Sequence, residues 1–452
     1  MHDVKTDTIC ALATPPGVAG LAVVRVSGPR AFELCDLNFH GSASASSAAD
    51  HSITFGWWGV GDERIDSVTL MVYRSPRSYT GEDVVEIGCH GGVFISDKII
   101  DCLLNSGARL ADPGEFTRRA FLNRKLDLVQ VEAVADIIHA ASERGAQTAA
   151  RQLAGGFTKR LESFRTGLLE VLGLLELELD FSEEDVEFVP RHQLREQLHA
   201  ILHEVLLTAG SAHGASVLRS GFHVAVVGYP NAGKSSLFNA LLLRNRAIVS
   251  DRPGTTRDYL AESLLIDGYA VHLIDTAGIR DTDDTIELEG IAITESVVKQ
   301  ADMVLVLNDV TEGLHHSDAL KEDLEIRLSS TPVLLVQNKI DCIDTGSLSN
   351  GDLWCSARTG EGIEALRQRI VTSIRAQTSG VQDVLVNDRQ AKLLRVIADN
   401  ISSVLHGLES KASNDELAVD LRLSIRILGE ITGETWNPDV LDTVFSRFCI
   451  GK

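Results

Sequence analysis

The spacing of apolar residues along this chain switches from a strand-like to a helical period, and then does so again. Short β-branched runs at Leu21–Val26, Val68–Tyr73 and Asp83–Ile87 predict strands in an α/β region reaching to about residue 120. Gly41-Ser-Ala-Ser-Ala-Ser-Ser47 is of low complexity and is expected to be a mobile loop. From about residue 125 to 215, Leu161, Phe164, Leu168, Leu172, Leu175 and Leu179 recur three and four apart, the stripe of a bundled helix. After a break at 180–185 the stripe resumes at Leu194, Leu198, Ile201 and Val205. Residues 222 to about 375 return to buried-strand runs at Val224–Val227, Ala301–Leu307, Pro332–Val336 and Leu353–Cys355, with a hairpin signal at Ile266-Asp-Gly-Tyr269. Leu394, Ile397, Ile401, Val404 and Leu408, then Leu417, Leu421, Ile425, Leu428 and Ile431, make the end helical. The economical reading is a discontinuous helical bundle with an α/β module inserted in it, behind an N-terminal α/β domain.

The inserted module carries phosphate chemistry. Gly228-Tyr-Pro-Asn-Ala-Gly-Lys-Ser235 fits Gly-x-x-x-x-Gly-Lys-Ser between a predicted strand and a predicted helix, the setting that makes the motif a phosphate cradle. Loop and helix-start amides of Asn231, Ala232, Gly233, Lys234, Ser235 and Ser236 would face the phosphates, Lys234 would reach the β- and γ-phosphates, and Ser235 would bind Mg²⁺. About twenty residues on, Gly254-Thr-Thr-Arg-Asp258 would place Thr256 on Mg²⁺ and the γ-phosphate. In Asp275-Thr276-Ala277-Gly278, Asp275 would hold Mg²⁺ through water and the Gly278 amide would sense the γ-phosphate. Asn338-Lys339-Ile-Asp341 supplies a carboxylate for the ring N–H and amine of guanine, and Ser356-Ala357 would complete the base pocket. These motifs, in this order, predict a Ras-like P-loop GTPase module. The position after Gly278 is Ile279, which cannot orient a water. A polar substitute is expected from the acidic stretch that follows, where Asp281, Asp283, Asp284, Glu287 and Glu289 all qualify.

Composition narrows the setting. At 452 residues the chain exceeds one core and suggests about three domains. No apolar run approaches a membrane span, and the first residues lack an apolar signal core, so a cytoplasmic protein is expected. The seven cysteines contain no C-x-x-C pair and the 14 histidines no metal-ligand spacing, which argues for reduced thiols and against zinc. A net charge of −22 argues that an RNA substrate would be gripped partly by a partner.

Outside the GTPase module stand Ala13–Gly17, Arg25–Gly28, Tyr79–Asp83, Gly88–Gly92, Gly114–Asn123, Lys125–Leu128, Glu132–Asp136 and the tail Cys449-Ile-Gly-Lys452. On these motifs the whole chain bears a resemblance to the MnmE (TrmE) family of tRNA-modifying GTPases. It implies an N-terminal folate-binding and dimerisation domain at 1–121, a helical domain at 122–220 and 377–452, and a GTPase domain at 221–376. It further implies a 5-formyl- or 5,10-methylene-tetrahydrofolate held by Arg25, Glu86, Lys125 and Lys452, and a possible chemical role for Cys449. Asn231 becomes a K⁺ ligand together with Ser250, the Arg252 backbone and Thr255, of which Asn231, Ser250 and Thr255 also line the GTP site, and Glu287 becomes the catalytic residue that orients water. The implied activity is K⁺-activated GTP hydrolysis coupled to aminomethyl or carboxymethylaminomethyl addition at C5 of the tRNA wobble uridine. The implied partners are a second copy of the chain, tRNA and an FAD-bearing MnmG in a heterotetramer. Arg124 stands where the family commonly has a small or polar residue, and Tyr229 is not the usual cation. The competing reading is an Era- or Der-like ribosome-assembly GTPase without modification chemistry.

Overall fold

A computed structural model describes residues 7–140, 142–180, 190–242, 261–275, 298–312, 315–328, 331–343, 353–381, 384–410, 412–436, 438–446 and 448–452. They form two compact units, one of residues 1–135 with 425–452 and one of 136–424.

The first unit is built on a seven-stranded sheet in the order β3-β4-β5-β6-β2-β1-β7. Its strands are β1 (Ile9–Leu12), β2 (Ala19–Ser27), β3 (Phe39–Gly41), β4 (Ser52–Val60), β5 (Glu63–Tyr73), β6 (Val84–Gly91) and β7 (Arg109–Leu110). Every pairing is antiparallel except that of β1 with β7. Along β5, buried positions alternate with half-exposed ones, as a sheet covered on one face demands. The covered face packs Val24, Val26, Trp58, Leu70, Ile87 and Cys89 with Phe32, Leu34, Ile99 and Leu103 of helices α1 (Ala31–Asp36) and α2 (Val93–Asn105). On the other side, Ile53, Phe55 and Trp57 of β4 are 70%, 63% and 39% exposed.

The Gly/Ser/Ala stretch at 41–47 departs from expectation. It begins in β3 and then folds into a bonded turn: Ala45 N–H and Ser46 N–H donate to the Asp36 carboxylate, and Arg74 donates to the Ser46 and Ala48 carbonyls. Low complexity in the sequence carries no trace of these distant partners.

Helix α3 (Glu115–Leu122) closes the unit with the tail. The Gly114 and Phe116 N–H groups donate to the carbonyls of Cys449 (3.4 Å) and Lys452 (3.2 Å). Behind α3, Arg119 is buried and donates to Asp7, Glu82 and Glu115, while Arg109 bonds the same Asp7 and Glu115. Burial alone would raise the Asp7 and Glu115 carboxyls, but the arginine hydrogen bonds hold both below their ordinary values.

In the second unit, helices α5 (Glu143–Leu153), α6 (Gly156–Asp180), α7 (Arg191–Gly210) and α8 (Ala212–Ser220) precede a six-stranded sheet, and α12 (Asp388–Ser410) follows it. The predicted stripes are the buried faces: Leu161, Phe164, Leu168 and Leu175 on α6, Leu194, Leu198 and Val205 on α7, and Leu394, Ile397, Ile401 and Val404 on α12. The sheet order is β13-β12-β11-β8-β10-β9. Strands β8 (Phe222–Gly228), β10 (Tyr269–Asp275), β11 (Met303–Asp309), β12 (Val333–Asn338) and β13 (Leu353–Trp354) are parallel; β9 (Ala261–Ile266) joins β10 through the predicted hairpin. Asp267 (φ 52°) and Gly268 (φ 77°) give that turn its two left-handed positions. Apolar clusters cover both faces of the sheet. At the edge where these strands begin, Gly221 (φ 91°) turns the chain out of α8, and His272 Nε2 lies 2.8 Å from the Ser220 carbonyl.

Candidate functional site

Parallel strands direct their following loops to one edge, and the described motifs Gly228–Ser235, Asn338–Asp341 and Ser356-Ala357 collect there. β8 runs out at Gly228, the loop turns through Asn231 (φ 65°) and Gly233 (φ 93°), and α9 (Lys234–Leu242) starts immediately. Lys234 Nζ donates to the carbonyls of Gly228 (2.8 Å) and Tyr229 (3.0 Å), so its ammonium is wrapped by the loop it serves. Ala232 is buried, while Asn231, Ser235 and Ser236 are exposed. A Cβ on Gly233 would stand 2.3 Å from Asn338 Nδ2, so the close approach of loop and base motif requires glycine.

Asn338 ties the two halves of the site. Its Nδ2 donates to the Ala232 carbonyl (2.8 Å), and its Oδ1 accepts from the Ala357 N–H (3.0 Å). Asp341 Oδ1 accepts from the Ser356 hydroxyl, and Oδ2 is met by the exposed Arg358 guanidinium. The Ser356 bond, with Arg358 beside it, holds the Asp341 carboxyl below its ordinary value, so it is an ionised acceptor at neutral pH. Such a carboxylate suits the paired N–H groups of guanine, provided Arg358 swings aside or shares it. These residues fit a guanine nucleotide.

The remaining nucleotide expectations lie largely outside the described residues: Ser250, Arg252, Thr255, Thr256, Thr276, Ala277, Gly278 and Glu287. The backbone of Asp275 is described and ends β10 beside Val226 of β8. Sequence reasoning passed over Arg358 and the buried Asp309, which meets Lys339. The signal for Asp309 was available, because Asn308 and Asp309 are polar residues closing an apolar strand.

The folate expectations fall on the first unit. Arg25 and Glu86 are opposite one another on β2 and β6, with Arg25 Nε and Nη2 each 2.8 Å from Glu86 Oε1. The guanidinium lies 5.1 Å from the Tyr79 ring centroid and 5.6 Å from that of Phe116, and it donates to the Gly451 carbonyl (3.4 Å). Arg25 is thus largely consumed by its own chain. Lys452 is near enough to feel both charges; burial first and the neighbouring Arg25 second lower its ammonium below the ordinary value. Lys125 is exposed and donates to the Pro76 carbonyl (3.1 Å), on the loop that carries Tyr79. The adjacent Arg124 has φ 57°, a backbone that small polar residues adopt more readily. Among the described residues none donates to Glu86 Oε2, which leaves an acceptor of the kind a pterin amidine edge needs; on that acceptor the cluster fits a folate.

A family model described as the MnmE helical domain matches residues 128–449, and one described as the GTP-binding protein TrmE N-terminus matches residues 8–125. The chain belongs to the MnmE family. The tRNA modification GTPase MnmE of Cytophaga hutchinsonii is 41% identical over 455 residues, covering 99% of this chain and 98% of that protein. The MnmE of Parabacteroides distasonis is 41% identical over 459 residues, covering 98% of this chain and all of that one (100%). Among solved structures, the G domain of the T. maritima FeoB iron transporter aligns with 34% of this chain and 98% of its own at 28% identity, with a TM-score of 0.26, too low to bear on the fold. In this chain, Cys449 is exposed and free, as is Cys342, while burial pushes the Cys10 and Cys355 thiols up to about 12.

Proposed function

We propose that this chain is a K⁺-activated GTPase that modifies tRNA at the wobble uridine together with an MnmG-type flavoprotein. The observation that carries the nucleotide half is the bond from Asn338 to the phosphate-loop carbonyl of Ala232, which makes base pocket and phosphate cradle one site. Asp341 selects guanine, the α9 amides and Lys234 orient the phosphates, and Ser235 with Thr256 holds Mg²⁺, which neutralises phosphate charge when bound. Asn231, Ser250, Arg252 and Thr255 hold K⁺ where positive charge is otherwise missing. Glu287 orients the attacking water.

The modification half rests on family membership. Arg25, Glu86, Lys125 and Lys452 hold a tetrahydrofolate that supplies the one-carbon unit, and the partner supplies FAD. The exposed apolar face around Ile53, Phe55 and Trp57 supports a homodimer through the first unit. We place the domain limits at 1–121, 122–220 with 377–452, and 221–376. No helix among the described residues is long and apolar enough to cross a membrane, which suits a cytoplasmic enzyme.

The deciding experiment is mass analysis of wobble-uridine nucleosides from cells lacking the protein; unchanged nucleosides reject the tRNA reading and leave an Era- or Der-like role. GTP turnover in K⁺ and Na⁺ at matched ionic strength tests the ion, since equal rates remove it. Replacing Glu287 with Ala is expected to abolish turnover while nucleotide still binds.

A further inference from the structure

Lys339 is the middle residue of the base motif, and its surroundings are unusual for a lysine beside a ligand pocket. Its backbone is left-handed (φ 67°), at the start of the 3₁₀ turn Ile340–Cys342. Its ammonium meets Asp309 Oδ2 at 2.5 Å, and that carboxylate side chain is only 4% exposed against 35% for the lysine. Asp309 is itself fixed: Oδ1 accepts from the Thr311 N–H (3.0 Å) and hydroxyl (2.7 Å). The last residues of β11 and β12, Asp309 and Asn338, are register partners, and the Val310 N–H donates to the Asn338 carbonyl (3.1 Å). Asp309 therefore reaches across to the residue immediately after its neighbour. Burial alone would raise the Asp309 carboxyl, but the Lys339 hydrogen bond and the two from Thr311 hold it below its ordinary value, so the pair is ionic.

A buried carboxylate that neutralises an ammonium leaves the methylene stem as the part of the lysine that faces outward. That stem follows Asn338, which is bonded to the phosphate loop, and precedes Asp341 by two residues. We infer that Asp309 is a positioning residue for guanine recognition, anchoring the Lys339 ammonium on the protein side so that the base meets an apolar stem. The inference rests on the guanine-nucleotide reading above. Without the anchor, the ammonium is released to solvent and the stem loses its single geometry.

The test is a double-mutant cycle on the full chain, read as the dissociation rate of a fluorescent GDP analogue carrying an N-methylanthraniloyl group. Asp309→Asn keeps the shape and an acceptor for Thr311 but loses the charge-assisted bond, and is expected to speed dissociation about tenfold. In a Lys339→Met background the same substitution is expected to change the rate less than about twofold, because no ammonium remains to be anchored. Equal fold-changes in both backgrounds, or no change in the parent, overturn the inference. Should Asp309→Asn not fold, Thr311→Val removes one bond to the anchor; its expected effect is about threefold, again lost beside Met. Binding to the unaltered protein separates the two readings. No binding there removes the nucleotide reading and this one together, whereas binding with a silent Asp309→Asn removes this one alone.

Discussion

The two sheets of this chain put their chemistry in different places. The parallel sheet is covered on both faces, so among the described residues its candidate groups stand where strands end: Gly228 leads to the phosphate loop, and Asn338 leads to Asp341. The antiparallel sheet is covered by helices α1 and α2 on one face, and on the other only its β2–β1 end is closed, by Phe116 and Tyr79, so Arg25 and Glu86 stand in mid-strand, opposite each other on β2 and β6. The lesson concerns rigidity. A strand-end site is carried by loops that change with the ligand, whereas a mid-strand pair is locked by sheet register and aromatic neighbours.

The largest expected effect tests the strand-end site. Asp341→Asn reverses the donor–acceptor pattern, and competition binding is expected to move preference from guanine to xanthine nucleotides by about a hundredfold or more. Unchanged preference would place the base elsewhere and end the comparison. Next, Arg25→Ala leaves Glu86 partly buried without its partner and frees the Gly451 carbonyl. Calorimetry with 5-formyl-tetrahydrofolate is expected to show a loss of about 2 kcal/mol, or roughly thirtyfold. A loss under twofold would mean that the mid-strand pair is structural only. On the same sheet, Phe55→Asp puts a charge in the exposed apolar face, and sedimentation is expected to show dimer affinity falling about tenfold; an unchanged dimer would assign that face to something else.

The smallest effect belongs to the edge where the parallel strands begin. His272 has its imidazolium form disfavoured by burial first and by His223 second, which lowers its value from the usual 6.5. The unfolded chain then binds the proton more readily, so stability is full above about pH 6.5 and falls as pH drops toward the lower folded value. Urea unfolding between pH 7.5 and 5 measures this, and His272→Gln should flatten the fall. An unaltered slope in the variant would assign the proton to another group.

How much of this was legible in the sequence follows from distance along the chain. The phosphate loop, Asn338–Asp341 and Ser356-Ala357 are contiguous words, and the structure bonds the three segments to one another through Asn338 and Asp341. The stripes of α6, α7 and α12 were equally plain, because helical period is local. Strand β4 was missed, since Phe55-Gly-Trp-Trp-Gly59 puts large apolar residues on both the open and the covered face. The Arg25–Glu86 pair joins residues 61 apart, and its register is set by pairings that no local pattern encodes. The turn at 41–47 was misread because its anchor, the Asp36 carboxylate, belongs to the preceding helix.

The bonds from Gly114 and Phe116 to the tail have a bearing on the order in which the chain is made. The first unit is assembled from residues 1–135 and 425–452, so about 290 residues intervene between its two pieces. Closing a loop of that length costs about 5 kcal/mol in chain entropy. During synthesis, α3 leaves the ribosome long before Cys449 and Lys452 exist to accept from it. The intervening unit can fold as it emerges and shorten the gap, whereas the cluster around Arg25 and Glu86, which includes Lys452 and the Gly451 carbonyl, waits for residues 451 and 452. A chain stopped before residue 449 would therefore lack the carbonyls that the Gly114 and Phe116 N–H groups and Arg25 meet, while Asn338 could still bond the Ala232 carbonyl.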